Sequence, residues 1–280
     1  MNSLHIHPAT KIALQAYSSQ PPHALLLIGP VGIGKRTIAE AWAKLVVASS
    51  TYQAEIVEPD EKGSIGIATI RELYKSARSK RVQRQIIIVD KAETMSLEAE
   101  NAFLKLLEEP RDGVTFILTA THTESLLPTI LSRVQRVTLQ PLPVAQMQAV
   151  VATRSPALTS ADLAQVLFIA DGRPGIALQL LDSPTLLEKE RAIMLQAKEL
   201  LTAKPYTRYM AMATLANDRE TCLATIKAML RMVVLQLKKP DQKKQLHDFV
   251  SLSNTLHSAL QQIDRNGNLK AQLLRVFSNY

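Results

Sequence analysis

Residues Ala24–Lys35 read ALLLIGPVGIGK, an apolar run that passes at once into a glycine-rich turn. Over Thr37–Ala48, Ile38, Ala41, Trp42 and Leu45 then recur at helical spacing, so the segment reads as strand, turn and helix. In that context Gly29, Gly32, Gly34 and Lys35 fit the G-x-x-x-x-G-K phosphate loop. The glycines let backbone N–H groups converge on phosphate oxygens at a helix N-terminus, and the lysine reaches the terminal phosphates. An ordinary glycine-rich turn would require neither the lysine nor this placement.

The same alternation continues downstream. Gln85–Asp90 contains Ile86-Ile87-Ile88-Val89, an unalternating β-branched run that suits a central parallel strand covered on both faces. Ser96 is expected to cap a helix whose apolar stripe is Ala102, Phe103, Leu106 and Leu107 and which Pro110 closes. Val114–Thr119 and Gln135–Leu139 read as two further strands. Strands alternating with helices imply a parallel α/β sheet with flanking helices. Pro141 and Pro143 mark a boundary beyond which the pattern is helical. Ala145–Thr153, Ser160–Ala170 and Gly175–Leu181 read as short helices, and Leu186–Leu201, Leu223–Leu237 and Leu269–Phe277 as amphipathic ones. The expected layout is an α/β domain over 1–140, a small helical lid over 141–183 and an all-α domain over 184–280.

Composition narrows the classes. The 280 residues are 46% hydrophobic but only 4% aromatic, so the cores must be filled mainly by Leu, Ile, Val and Ala. Cys222 is the one cysteine, which excludes an internal disulfide framework and a Cys-rich zinc site. No run approaches the roughly 18–20 apolar residues of a membrane span. Met1–Thr10 lacks the apolar core of a signal peptide, and a soluble, cytoplasmic chain is expected. The net charge of +8 permits contact with nucleic acid or an acidic protein without requiring either. Much of the excess is local: Arg71, Lys75, Arg78, Lys80, Arg81 and Arg84 precede one strand, and Lys238, Lys239, Lys243 and Lys244 lie further on. Both clusters also fit solvated helix faces.

The phosphate loop departs from its own rule. The position after the lysine should carry a hydroxyl that holds magnesium; it is Arg36, and Thr37 follows one place late. Arginine offers only donors and is always charged, so it cannot ligate a cation. Asp90 ends the next central strand where a magnesium-organising aspartate belongs. Its successor is Lys91, which cannot act as a base at neutral pH in place of a glutamate. Glu93 lies three positions beyond Asp90 and is expected to cap or pair on the surface. Two separate catalytic positions are therefore altered, while phosphate binding is left possible.

The segments Ile87–Glu93, Ala99–Pro110 (AENAFLKLLEEP), Thr115–Thr119 and Leu127–Arg133 (LPTILSR) together resemble the AAA+ subunits of bacterial clamp loaders. The resemblance is clear over about 20–140, extends to 181, and fades in the C-terminal region. It implies a P-loop AAA+ domain, a helical lid and a collar through which subunits oligomerise. Within the family, Arg36 and Lys91 side with the delta-prime type rather than the ATP-hydrolysing gamma or tau type. So does Gly172-Arg173-Pro174-Gly175, where Gly175 stands in the place of a sensor arginine unless Arg173 substitutes. The family's four-cysteine zinc module is missing from Ser49–Gly66, so no zinc is expected. Its Ser-Arg-Cys motif is present as Ser132-Arg133-Val134.

What the resemblance implies is specific. Arg133, with Ser132 beside it, would act in trans as an arginine finger on ATP held by a neighbouring subunit. ATP or ADP could still bind at Gly29, Gly32, Gly34, Lys35, Thr37 and Asp90. The sensor-like stretch Thr119-Ala120-Thr121 could touch a γ-phosphate or simply cap a strand end. The partners implied are gamma/tau and delta subunits, a sliding clamp, and primed DNA held through sequence-independent phosphate contacts. The setting implied is the replisome of a bacterial cytoplasm, with no membrane. Two alternatives stay open: an active gamma-type ATPase using Thr37 and Glu93 in shifted roles, and a basic DNA-binding protein that works alone.

Overall fold

A computed structural model describes residues 5–49, 52, 54–78, 84–237, 246–264 and 267–278. They divide into two compact units, Met1–Asp182 and Ser183–Tyr280. In the first, the elements run α1 (Pro8–Ala16), β1 (Ala24–Ile28), α2 (Lys35–Val47), β2 (Glu55–Val57), α3 (Ile67–Arg78) and β3 (Gln85–Val89). A single 3-10 turn, Ala92–Thr94, leads to α4 (Leu97–Glu108), β4 (Val114–Ala120), α5 (Pro128–Leu131) and β5 (Gln135–Thr138). Three helices complete the unit: α6 (Val144–Arg154), α7 (Ser160–Ala170) and α8 (Pro174–Asp182). The strands form one five-stranded sheet in the order β2-β3-β4-β1-β5, parallel throughout.

Burial on both faces explains the unbroken apolar runs. Alternate residues of each central strand enter opposite cores, as the two-residue strand period requires. Leu26, Ile87, Val89, Phe116 and Leu118 join Ile70, Leu73, Phe103, Leu106 and Leu107 on one side. Leu25, Leu27, Ile86, Ile88 and Ile117 join Leu14, Ile38, Ala39, Trp42 and Ala43 on the other. Phe103 meets Phe116 edge-to-face at 5.3 Å between ring centroids, and the buried Trp42 donates its indole N–H to Leu14 O at 2.9 Å. Ser96 caps α4, its hydroxyl accepting from Ala99 N.

The second unit is helical: α9 (Pro184–Thr202), α10 (Pro205–Leu215), α11 (Arg219–Leu237), α12 (Leu246–Asp264) and α13 (Leu269–Ser278). Their inward stripes include Ala197, Leu200, Ile226, Met229, Val233, Leu256, Ile263, Leu273 and Val276. Arg208 is buried because its guanidinium caps the C-terminal turn of α9, Nε donating to Leu200 O at 3.0 Å. Burial pushes the Cys222 thiol up to about 11, leaving it a small apolar core residue. No helix among the described residues is long and apolar enough to cross a membrane.

Candidate functional site

The loop after β1 sits at the C-terminal edge of the sheet. Gly29 N donates to Ala120 O, tying the end of β1 to the end of β4. Gly32 and Gly34 take left-handed φ values of 80° and 91°, which the tight reversal into α2 demands and which side chains rarely adopt. Ile33 is buried beneath the loop and anchors it to the core.

Lys35 is turned onto its own loop. Its Nζ lies 2.7 Å from Gly29 O and 3.3 Å from Pro30 O. It also reaches Thr121 Oγ1 at 3.4 Å. Burial lowers its pKa, and the nearby carboxylates of Glu93 and Asp90 partly offset that effect. Helix α8 is packed directly on the loop: Gly175 N, in its first turn, donates to Gly32 O at 2.8 Å. A Cβ on Gly175 would stand 2.8 Å from that same carbonyl oxygen, and a Cβ on Gly32 would stand 2.4 Å from the Ile176 side chain.

The remaining predicted positions divide around this loop. Arg36 points away into ion pairs with Glu40 at 3.1 Å and Glu58 at 2.5 Å. Thr37 is exposed on the first turn of α2. Asp90 is buried and accepts a 2.6 Å hydrogen bond from Thr119 Oγ1, which in turn accepts from Lys91 N at 2.9 Å. Glu93 corrects the expectation of a surface pair. It is half-buried, and its Oε1 accepts from Thr121 N at 3.0 Å. Its Oε2 is buried with no hydrogen-bond partner among the described residues. The 3-10 turn after β3 swings this side chain inward beneath the end of β4, which spacing from Asp90 alone does not reveal. Arg173 does not substitute at Gly175. Its Nε and Nη2 donate to Ala170 O and Ile169 O and cap α7 instead.

Arg133 and Ser132 lie elsewhere. Helix α4 runs from the end of β3 back to the start of β4, so its C-terminus lies at the opposite edge of the sheet from the loop. Arg133, two residues before β5, is held there: Nη2 pairs with Glu108 Oε1 at 2.9 Å, and Nη1 donates to Thr129 O at 3.0 Å and to Ser132 Oγ at 3.2 Å. The register agrees, since the start of β5 pairs with Leu25 while Ile28, at the loop end of β1, pairs with Thr138. A strand of this length separates the two edges by about 15 Å. The start of the α5 segment is pinned by Glu100, whose Oε1 accepts from Leu127 N at 3.2 Å. Burial raises the Glu100 pKa. Glu100 and Glu108 are eight residues apart, on one face of α4. Their tie to α5 depends on tertiary placement and is not visible in the AENAFLKLLEEP segment read alone.

The first basic cluster is partly placed. Arg71 and Lys75 on α3 and Lys105 on α4 border a groove of about 700 Å³ that Ile67, Ile70 and Tyr74 also line, and Arg84 is exposed just before β3. Arg78 ends α3. Lys80 and Arg81 lie outside the described residues, as do Lys238, Lys239, Lys243 and Lys244. No group of ligating side chains that could hold a metal ion occurs among the described residues.

Comparison with known proteins shows what this part of the chain is similar to. A family model described as DNA polymerase III, delta subunit, matches residues 50–143. DNA polymerase III subunit delta' of Pseudomonas aeruginosa is 33% identical over 138 residues, covering 41% of this chain and 42% of that protein. Over these residues the chain is similar to subunits of DNA polymerase III.

The clamp-loader resemblance seen in the sequence is thus borne out. DNA polymerase III subunit tau of Bacillus subtilis is 29% identical over 203 residues, covering 62% of this chain and 36% of that one. The matches span about two fifths of these relatives' own lengths. Among solved structures, a DNA polymerase III gamma subunit-related protein from Thermotoga maritima superposes with a TM-score of 0.52 at 21% identity, covering 96% of this chain and 97% of that one. A RuvB variant from the same organism gives 0.53 at 16% identity, covering 85% and 92%. At such identities the structures establish the fold: a parallel AAA+ sheet with flanking helices, followed by a helical C-terminal region.

Proposed function

We propose that this chain acts as the non-hydrolysing delta-prime member of a clamp loader, supplying Arg133 to ATP bound by a neighbouring subunit. The observation that carries this reading is the placement of Arg133 at the sheet edge opposite its own phosphate loop, where it cannot serve that loop. A planar, permanently charged guanidinium suits the charge that develops on a transferring phosphoryl group, and such fingers are worth about 10³–10⁵ in rate. Ser132, whose hydroxyl accepts from Arg133 Nη1, steadies the same group.

The chain's own loop supports the second half of the proposal. A magnesium nucleotide does not fit the residues as they stand. Lys35 is bonded to its own loop carbonyls, Arg36 replaces the metal-binding hydroxyl, and Gly175 N–H is directed at the Gly32 carbonyl rather than at an anion. The lid over 141–183 would lock the loop, and the collar over 184–280 would bind gamma/tau and delta neighbours. The assembled ring would open a sliding clamp and place it on primed DNA in the cytoplasmic replisome. DNA contacts would be to phosphates and would weaken with salt.

One observation favours the rival gamma-type reading. Glu93 is turned inward near Lys35 with a free carboxylate oxygen, where it could orient water. A steady-state ATPase assay on the isolated chain separates the two. The proposal predicts no turnover above background; turnover that Lys35→Ala abolishes would establish the active ATPase. Tight DNA binding by a persistent monomer that gamma/tau and delta subunits leave unchanged would instead favour the stand-alone DNA-binding reading.

A further inference from the structure

We propose that Glu108 is the positioning residue for Arg133: a counter-anion that parks the guanidinium on its own subunit and yields it to an incoming phosphate. This deepens the finger reading and rests on it. The guanidinium's terminal edge, which makes bidentate contact with phosphate oxygens, is occupied in the structure. Nη2 is held by Glu108 Oε1, and Nη1 by Thr129 O and Ser132 Oγ. The Thr129 and Ser132 contacts come from the finger's own segment and can travel with it. The Glu108 contact joins a different element and brings the only formal opposing charge among these three acceptors, so it is the one that must open.

The pair is built to be exchanged. The Arg133 and Glu108 side chains are 35% and 50% exposed, so water screens their attraction and little is lost on separation. A terminal phosphate oxygen cluster carries more charge than one carboxylate and presents several acceptors, so it displaces Glu108, whereas a weak monoanion does not. The other end of the same segment is anchored differently. Glu100 is buried and fixes Leu127 N, so α5 stays in place while the side chain at its far end changes partner. Helix α4 thus holds the finger's base firmly and its tip loosely.

The test uses the full chain, reconstituted with ATP-hydrolysing gamma/tau-type and delta-type subunits. ATPase is measured as this chain is titrated in. Glu108→Gln removes the charge and keeps the shape. It is expected to lower the half-saturating concentration about two- to five-fold, the range set by an exposed ion pair, with the change in that concentration rather than in the plateau. Glu109→Gln removes an equal charge one residue away and is the control. A fall in plateau without a shift in half-saturation would mean that Glu108 orients the finger, and would overturn the parking role. No change, or an equal shift from Glu109→Gln, would overturn it too. A second readout works on the free chain: slowed rotation of the Arg133 guanidinium, seen as separate Nη signals by NMR, should be lost in Glu108→Gln. If Arg133→Ala leaves the assembled ATPase untouched, the finger reading itself fails; if only the Glu108 results fail, that reading stands.

Discussion

The two edges of one sheet hold their key cations in opposite ways. At the C-terminal edge Lys35 is part-buried and bonded to carbonyls of its own loop, and α8 is tied to that loop by the hydrogen bond from Gly175 N to Gly32 O. At the N-terminal edge Arg133 is half-exposed and held by an ion pair that water weakens. A backbone hydrogen bond between two closely packed segments is harder to open than an exposed ion pair. The loop that looks most like chemistry in the sequence is therefore the less available of the two, and the arginine that looks like surface is the readier.

Substitutions can break or sharpen that contrast. The largest effect is expected from Gly32→Ala, which forces a side chain into a left-handed backbone and against Ile176. A loss of about 2–4 kcal/mol is expected in denaturant unfolding; a neutral result would show that α8 does not close the loop edge. Thr119→Val comes next. It removes the donor that Asp90 uses and the acceptor for Lys91 N in a fully buried position. A cost of about 1–3 kcal/mol follows from leaving those groups short of a partner, and a cost near zero would mean that the edge is looser than described.

The smallest effect belongs to the edge that holds Arg133. Burial holds the Glu100 pKa above its ordinary 4.5, so the folded chain binds more protons there than the unfolded one. That contribution is fully present below 4.5 and is lost as pH rises through the folded-state value. Glu100→Gln retains an acceptor for Leu127 N without the charge. It should raise stability at pH 7 by no more than about 1 kcal/mol and lose that advantage towards pH 4. A variant that is less stable at pH 7 would show that the charge itself holds α5.

Much of the fold was legible because its signals are local. The β1 run and α7 occupy the residues predicted from the sequence, and β3, β4 and β5 differ from expectation only at their ends. Buried parallel strands leave continuous apolar stretches bounded by turns. β2 is three residues long at the sheet edge and begins with Glu55, so it carries no such run. The inward residues of α3, Ile70 and Leu73, are hidden among Arg71, Glu72 and Lys75. α1, α10 and α12 were likewise not predicted; α12 is interrupted by Ser, Thr and His.

The site divides along the same line. Gly29–Lys35, Asp90 and Ser132-Arg133 stand out because their types and spacing are unusual. The contacts that give them their state do not. Gly175 N to Gly32 O is a backbone bond between residues far apart in sequence, and Glu108 to Arg133 joins two helix ends that only the folded sheet brings together. From the sequence Glu93 is expected to cap or pair on the surface, whereas the 3-10 turn carries it under the end of β4.

The central claim is that the chemistry lies at Arg133 and acts on a neighbour's ATP, not at the chain's own loop. The most direct measurement is ATP hydrolysis by the loader reconstituted with Arg133→Ala or with Lys35→Ala in this chain. The account predicts that Arg133→Ala lowers turnover at the adjacent site by about 10³-fold or more, while Lys35→Ala leaves turnover where it was. The reverse pattern, hydrolysis lost with Lys35→Ala and kept with Arg133→Ala, would contradict it.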